Sequence, residues 1–246
     1  MRWLQNSFVT KEFCNHLYKY MDNKFHIIEY FLSQKALLFG EFTLKSGRVS
    51  PYFFNLGCLH TGAQLQMLGR FYAQSIVTAW GKDFDIVFGP AYKGIPLAVC
   101  TVEALFDEQG LDVSYSSNRK EMKDYADRSI LLGSDIKNGD RIILVDDVVT
   151  TGATKEDVIT LIQTLANVSF TGLVIALDRV ERNESSSQTA VLEFSKKTGI
   201  PVISMITAYD ILDYITVTRH KNTFNLAMDC DEKMSHYLEK YGCQRH

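Results

Sequence analysis

The chain has 246 residues, 26 lysines and arginines against 29 acids, a formal net charge of −3 and 46% hydrophobic residues. That length can bury a full α/β core, and the slightly acidic balance argues against a nucleic-acid surface. No apolar run reaches membrane-helix length, Lys11, Glu12, Asn15 and His16 interrupt the place of a signal-peptide core, and the five scattered cysteines form no CxxC pair, so a cytoplasmic enzyme without disulfides or zinc is expected.

Ile27 to Lys35 reads as a helix. Phe42 to Asn55 carries aromatic, β-prone pieces broken by Ser46-Gly47 and Pro51, which predicts a small hairpin-like lobe. Ala63 to Trp80 is a predicted helix with Leu65, Leu68, Phe71 and Ile76 mostly on one face. Asp85 to Phe88 is a short strand leading into Gly89-Pro90. Ile95 to Phe106 is a helix, with Cys100 as a core thiol, and Val113 to Ser116 a strand. Glu121 to Asn138 is polar, weakly periodic, and reads as a long surface loop. Ile142 to Val145 is apolar and β-branched, as a buried parallel strand requires. The helix after it is expected to turn Val158, Leu161, Ile162 and Leu165 inward. Gly172 to Leu177 and Pro201 to Ile206 read as strands, Ala190 to Lys197 and Tyr209 to Ile215 as helices. Asp231 to Tyr241 fits a terminal helix. Such alternation predicts a mainly parallel sheet with helices on both faces.

The stretch RIILVDDVVTTGAT (Arg141 to Thr154) places Asp146 and Asp147 at the C-terminal tip of a strand, where open α/β sheets bind ligands. The loop beyond opens a helix, whose first N–H groups lack partners and attract phosphate. Gly152 admits close backbone approach, and Thr150, Thr151 and Thr154 add hydroxyl donors. The two carboxylates repel a phosphate, but they accept hydrogen bonds from a sugar diol or from waters around a divalent cation. A sugar phosphate satisfies both halves. The lysine of a GxxxxGK(S/T) loop and the spacing of GxGxxG are missing, which argues against ordinary NTP and dinucleotide binding. Taken alone, the stretch is equally a strand ending in a solvated acidic turn that caps the next helix.

VDDVVTTGAT resembles the phosphoribosyl-diphosphate (PRPP) signature of type I phosphoribosyltransferases. FGEFTLKSGRVSPYFFNLG (Phe39 to Gly57), FGPAYKGIP (Phe88 to Pro96), NRKEMKD (Asn118 to Asp124) and ALDRVER (Ala176 to Arg182) resemble orotate phosphoribosyltransferases, in that family's order and with similar gaps. The resemblance runs from Met21 to Ile215. It leaves residues 1–20 as an extension, 21–218 as the phosphoribosyltransferase domain with a small N-terminal hood lobe, and 219–246 as a tail.

The resemblance implies transfer of the 5-phosphoribosyl group from PRPP to N1 of orotate in pyrimidine synthesis. It implies PRPP contacts from Lys45, Tyr92, Lys93, Arg119, Lys120, Lys123 and Tyr125. The signature adds Asp146, Asp147, Val148, Val149, Thr150, Thr151, Gly152, Ala153 and Thr154. Phe53, Phe54, Thr150 and Arg179 are implied at orotate, and Lys93, Arg119, Lys120, Lys123 and Asp147 in catalysis. The planar fork of Arg179 suits the orotate carboxylate, which uracil and purines lack; without the resemblance it would read as an ion pair with Asp178, Glu181 or Glu156. Magnesium is implied as arriving with PRPP and touching protein through water, with no direct protein ligand. A homodimer sharing the basic loop across its interface is implied too.

One position departs from the family. Many members carry KDHGEG at the loop tip, where this chain has Lys123-Asp124-Tyr125-Ala126-Asp127-Arg128. A neutral phenol cannot supply the charge of a protonated histidine, and the glycines that ease loop motion are gone, so slower turnover is expected. Two other readings compete. Transfer to another base is disfavoured by Arg179, Lys45 and the FFN segment. A regulatory protein that has lost catalysis is disfavoured by Lys93, Arg119, Lys120, Lys123 and both aspartates, and no basic helix-turn-helix is visible. A fused decarboxylase barrel is not expected at this length.

Overall fold

The computed structural model describes residues 23–44, 46–119, 130–150, 152–183, 187–218, 224 and 226–244. Helix α1 (residues 23–33) leads into two antiparallel strands, β1 (Leu37–Thr43) and β2 (Val49–Phe54). A short 3-10 turn (Leu56–Cys58) precedes α2 (Gly62–Trp80), which starts on a reciprocal cap between Thr61 and Gln64. Then come β3 (Ile86–Phe88), α3 (Gly94–Gln109), β4 (Ser114–Asn118), β5 (Leu131–Gly133), β6 (Arg141–Asp146) and α4 (Ala153–Leu165). The chain finishes with β7 (Ser169–Asp178), α5 (Ala190–Thr198), β8 (Val202–Thr207), α6 (Ala208–Thr218) and α7 (Cys230–Tyr241).

Six strands form the central sheet in the order β5-β4-β3-β6-β7-β8. All neighbours are parallel except β4 and β5. Alternation along the strands divides the core. Ile143, Val145, Val174 and Ala176 join a cluster with residues of α2, α3, α6 and α7. Ile142, Leu144, Leu173 and Ile175 join another with Val158, Ile159 and Ile162 of α4 and Phe194 of α5. Helices therefore cover both faces, as the strand–helix alternation predicts. From β3 the chain moves one way to β4, then crosses to the other side of β3 for β6. The tips of β3 and β6 meet at this reversal, the place where doubly wound sheets hold ligands.

The β1–β2 pair makes the small lobe. It begins at Leu37, earlier than the predicted Phe42, because Leu37 is buried against the core. Helix α7 lies against it, with the Tyr237 and Tyr52 rings edge-on at 6.4 Å. Met234, Tyr237 and Leu238 are buried, so this helix is part of the core.

Two expectations need correction. The segment read as one loop over Glu121 to Asn138 contains β5, three residues that pair antiparallel with β4; only Leu131 of this strand is buried, too little to mark a strand by pattern. The inner face of α4 is Val158, Ile159 and Ile162, whereas Leu165 is 41% exposed. Val158 and Ile162 turn inward as expected and Leu161 is half-buried; Leu165 is the position that fails. Residues 1–20, Lys45, Lys120, Lys123, Tyr125 and Thr151 lie outside the described residues. Among the described residues, no helix is long and apolar enough to cross a membrane.

Candidate active site

Two glycines build the turn after β3. A Cβ on Gly89 would lie 1.9 Å from the Gly94 carbonyl oxygen, and one on Gly94 would lie 2.5 Å from the Gly89 carbonyl carbon. The strand end and the helix start thus touch backbone to backbone. The turn holds Tyr92, 64% exposed, after a cis Ala91–Tyr92 peptide, and Lys93 at the N-cap of α3. Asn118, at the end of β4, accepts a 2.9 Å hydrogen bond from the Ala91 N–H and braces the turn.

Across the reversal, β6 delivers Asp146 and the chain continues to Asp147. Lys93 Nζ reaches Asp147 Oδ2 at 2.8 Å. Lys155, from the first turn of α4, reaches Asp146 Oδ2 at 2.5 Å and the Val148 carbonyl at 2.8 Å. Burial pushes the Asp146 carboxyl up, and the Lys155 ammonium opposes that shift. Backbone N–H groups complete the arrangement: Asp147 N–H donates to Asp146 Oδ1 at 2.8 Å and Val148 N–H to Asp147 Oδ1 at 2.9 Å. The Asp146 carbonyl accepts from the buried Tyr72 hydroxyl at 2.7 Å. Val148 and Val149 are half-buried, and Thr150 and Thr154 are exposed. Gly152 sits at φ 77°, in the left-handed region, and among the described residues no side chain caps α4. The helix N-terminus beside the carboxylates is open to an anion.

A second cluster stands after β7. Arg179 Nε donates to Glu181 Oε1 at 2.7 Å, and Nη2 donates to Ser50 Oγ at 2.9 Å. The Tyr52 ring lies under the guanidinium, 4.2 Å from its carbon. Phe54 shares the face of Ser50 and Tyr52 on β2 and packs edge-on to Phe31 at 5.2 Å. Phe53 points the other way, 39% exposed and stacked on Phe42. Arg119, after β4, is tied through its Nε to the Leu131 carbonyl at 3.1 Å.

Residues 57–200 match the family model for the phosphoribosyl transferase domain. The orotate phosphoribosyltransferase of Clostridium acetobutylicum is 40% identical over 223 residues, covering 89% of this chain and 97% of that one. That of Saccharophagus degradans is 43% identical over 217 residues, covering 88% and 96%. This chain belongs to the orotate phosphoribosyltransferase family. The crystal structure of the Francisella tularensis orotate phosphoribosyltransferase superposes with a TM-score of 0.75 at 36% identity, over 87% of this chain and 98% of that one. The fold is that of the type I phosphoribosyltransferases.

Against that family pattern, the structure joins Lys93 to Asp147 and sets the signature loop beside them. It ties Arg179 to Glu181, one of the ion-pair partners available to it in sequence. Sequence reasoning missed Lys155, Asn118, Tyr72 and Tyr237. Lys155 carries a signal, since a lysine in the first turn after Gly152 lies beside the strand tip. The others meet the site across long chain separations and carry none.

Proposed function

We propose that this protein transfers the 5-phosphoribosyl group of PRPP to N1 of orotate, giving orotidine 5'-monophosphate (OMP) and pyrophosphate, in pyrimidine synthesis. The observation that carries the reading is the meeting of Lys93 and Asp147 at the sheet's reversal, beside the uncapped start of α4. The 5-phosphate sits on the α4 N-terminus and the Thr150 and Thr154 hydroxyls. The ribose diol donates hydrogen bonds to Asp147 and to the free lone pairs of Asp146. Accepting the diol releases Lys93 from Asp147, and its ammonium meets the pyrophosphate.

As the N1–C1 bond forms and the C1–O bond breaks, negative charge collects on pyrophosphate while C1 becomes cation-like. Lys93 and the basic loop residues Arg119, Lys120 and Lys123 stabilise the first charge, and the neighbouring aspartates the second. Tyr125 takes the place of the loop's usual charge. Orotate N1 is acidic, so the chain needs no strong base. Arg179 meets the orotate carboxylate, with β2 beside the ring.

Both aspartates already hold an ammonium, and among the described residues no cluster of acids, histidines or cysteines could hold a metal alone. That donor set fits a magnesium ion arriving on PRPP with its own waters, touched through water by Asp146 and Asp147. The ion supplies further neutralisation of the pyrophosphate. We assign the protein to the cytoplasm as a homodimer that shares the basic loop.

The test is loss of orotate absorbance on mixing protein, PRPP and magnesium, with uracil and the purine bases in parallel. Orotate loss that needs both PRPP and magnesium is expected. Turnover of another base, or none with PRPP bound, overturns the reading.

A further inference from the structure

Arg179 is held from three directions. Glu181 takes Nε from the same loop, at 2.7 Å. Ser50 of β2 takes Nη2 at 2.9 Å. Tyr237 of α7 also faces Nη2, at 3.4 Å, while its hydroxyl hydrogen goes to Glu181 Oε1 at 2.7 Å. The Tyr52 ring closes one face of the guanidinium. The side edge of the fork, Nε and Nη2, is therefore spent inside the protein. Among the described residues, Nη1 makes no hydrogen bond.

Glu181 is itself fixed. Its second oxygen accepts from Arg48 Nη1 at 3.4 Å. Tyr241 and Cys243 lock this loop: Cys243 N–H donates to the Val180 carbonyl and Arg182 N–H to the Tyr241 carbonyl, both at 2.8 Å. A long arginine carries roughly 2 kcal/mol of rotamer entropy, so such bracing lowers the cost of binding at its open end.

We infer that Tyr237 and Glu181 are positioning residues that hold Arg179 with its Nη1 end presented to ligand, so that the C-terminal helix sets recognition of the base's carboxylate. The inference rests on the orotate reading above. Tyr237 and Nε share Glu181 Oε1, so Tyr237 stands on the side edge of the fork and the Nη2 hydrogen nearer Nη1 is the one directed at Ser50. A carboxylate arriving end-on at Nη1 gains its second contact from that hydrogen, while the Glu181 and Tyr237 contacts stay. Tyr237 thus keeps the side edge anchored and the Nη1 end turned to ligand.

Equilibrium binding of OMP and of uridine 5'-monophosphate (UMP), which lacks only the carboxylate, separates this role from general support. Tyr237→Phe keeps the ring and removes the hydroxyl. OMP affinity is expected to fall about fivefold, the scale of one ordinary hydrogen bond, and UMP affinity by under about twofold. The KM for orotate rises in step, and the KM for PRPP does not. Glu181→Gln, which keeps an acceptor for Arg179 and loses the charge, shifts OMP over UMP in the same direction; it serves as the second variant should Tyr237→Phe melt early. An equal loss of both nucleotides, or no change in either, overturns the inference. Arg179→Met, which removes the charge, separates the two levels. If OMP is still preferred over UMP in that variant, the placement of the carboxylate at Arg179 is wrong. If the preference collapses there but survives Tyr237→Phe and Glu181→Gln, only the positioning role fails.

Discussion

Lys155 sets its ammonium 2.5 Å from the Asp146 carboxylate, and the two side chains are only 7% and 12% exposed. One buried cation ties the tip of β6 to the first turn of α4 and, through the Val148 carbonyl, to the loop between them. Removing one partner of such a pair leaves an uncompensated charge in the protein. Lys155→Met is expected to cost about 3–5 kcal/mol. Adding Asp146→Asn should recover part of that loss. Thermal unfolding of both single variants and the double variant measures the coupling, and strict additivity would show there is none.

The neighbouring pair behaves differently because water reaches it. Lys93 is 60% exposed and Asp147 13%. Asp147→Asn is expected to change stability by under about 1 kcal/mol. The same change removes a charged acceptor for the ribose diol, so PRPP affinity should fall roughly tenfold. Calorimetric titration with PRPP beside a melting curve tests both halves. A large loss of stability would make Asp147 a structural residue.

Tyr52 is fully buried, and among the described residues its hydroxyl finds no hydrogen-bond partner. Burial pushes its pKa up, so the group stays neutral. Tyr52→Phe keeps the ring beneath Arg179 and removes an unpaired polar atom, so stability should rise by about 1 kcal/mol. The denaturant midpoint should increase, with the slope unchanged.

Burial raises the Cys100 thiol to about 12. A raised thiol pKa keeps the neutral form through the physiological range: at pH 8 the reactive thiolate is on the order of one part in ten thousand. Iodoacetamide at pH 8 should therefore label the half-buried Cys58 and Cys243 while native Cys100 stays unmodified, as read by peptide mass spectrometry. The thiolate fraction grows as pH rises toward 12, so protection weakens in that direction. Rapid labelling of Cys100 at neutral pH in the folded protein would contradict this.

What could be read from the chain was local chemistry. Asp146, Asp147 and Gly152 announce a phosphate-and-sugar site because strand tip, acids and helix start are contiguous. The sheet was legible because runs such as Ile142 to Val145 face apolar neighbours on both sides. The surroundings of Arg179 were not. Ser50 lies 129 residues away from it and Tyr237 58. Neither belongs to a pattern that a window of sequence reveals, since each is defined by a partner that folding brings near. The expectation for Leu165 of α4 failed for a related reason. Leucine at 161 and 165 is as apolar as Ile159, and only packing against β6 and β7 decides which side turns inward.

The order of synthesis gives the contact between α7 and Arg179 a meaning beyond the finished fold. The arginine leaves the ribosome 58 residues before Tyr237, and Cys243, whose N–H donates to Val180, follows later still. A growing chain can complete its phosphate cradle from β6 and α4 while the base end is still unbraced. Capture of the base would then wait on α7, and a chain stopped before Tyr237 would keep the Asp146–Asp147 cradle while lacking the brace on Arg179.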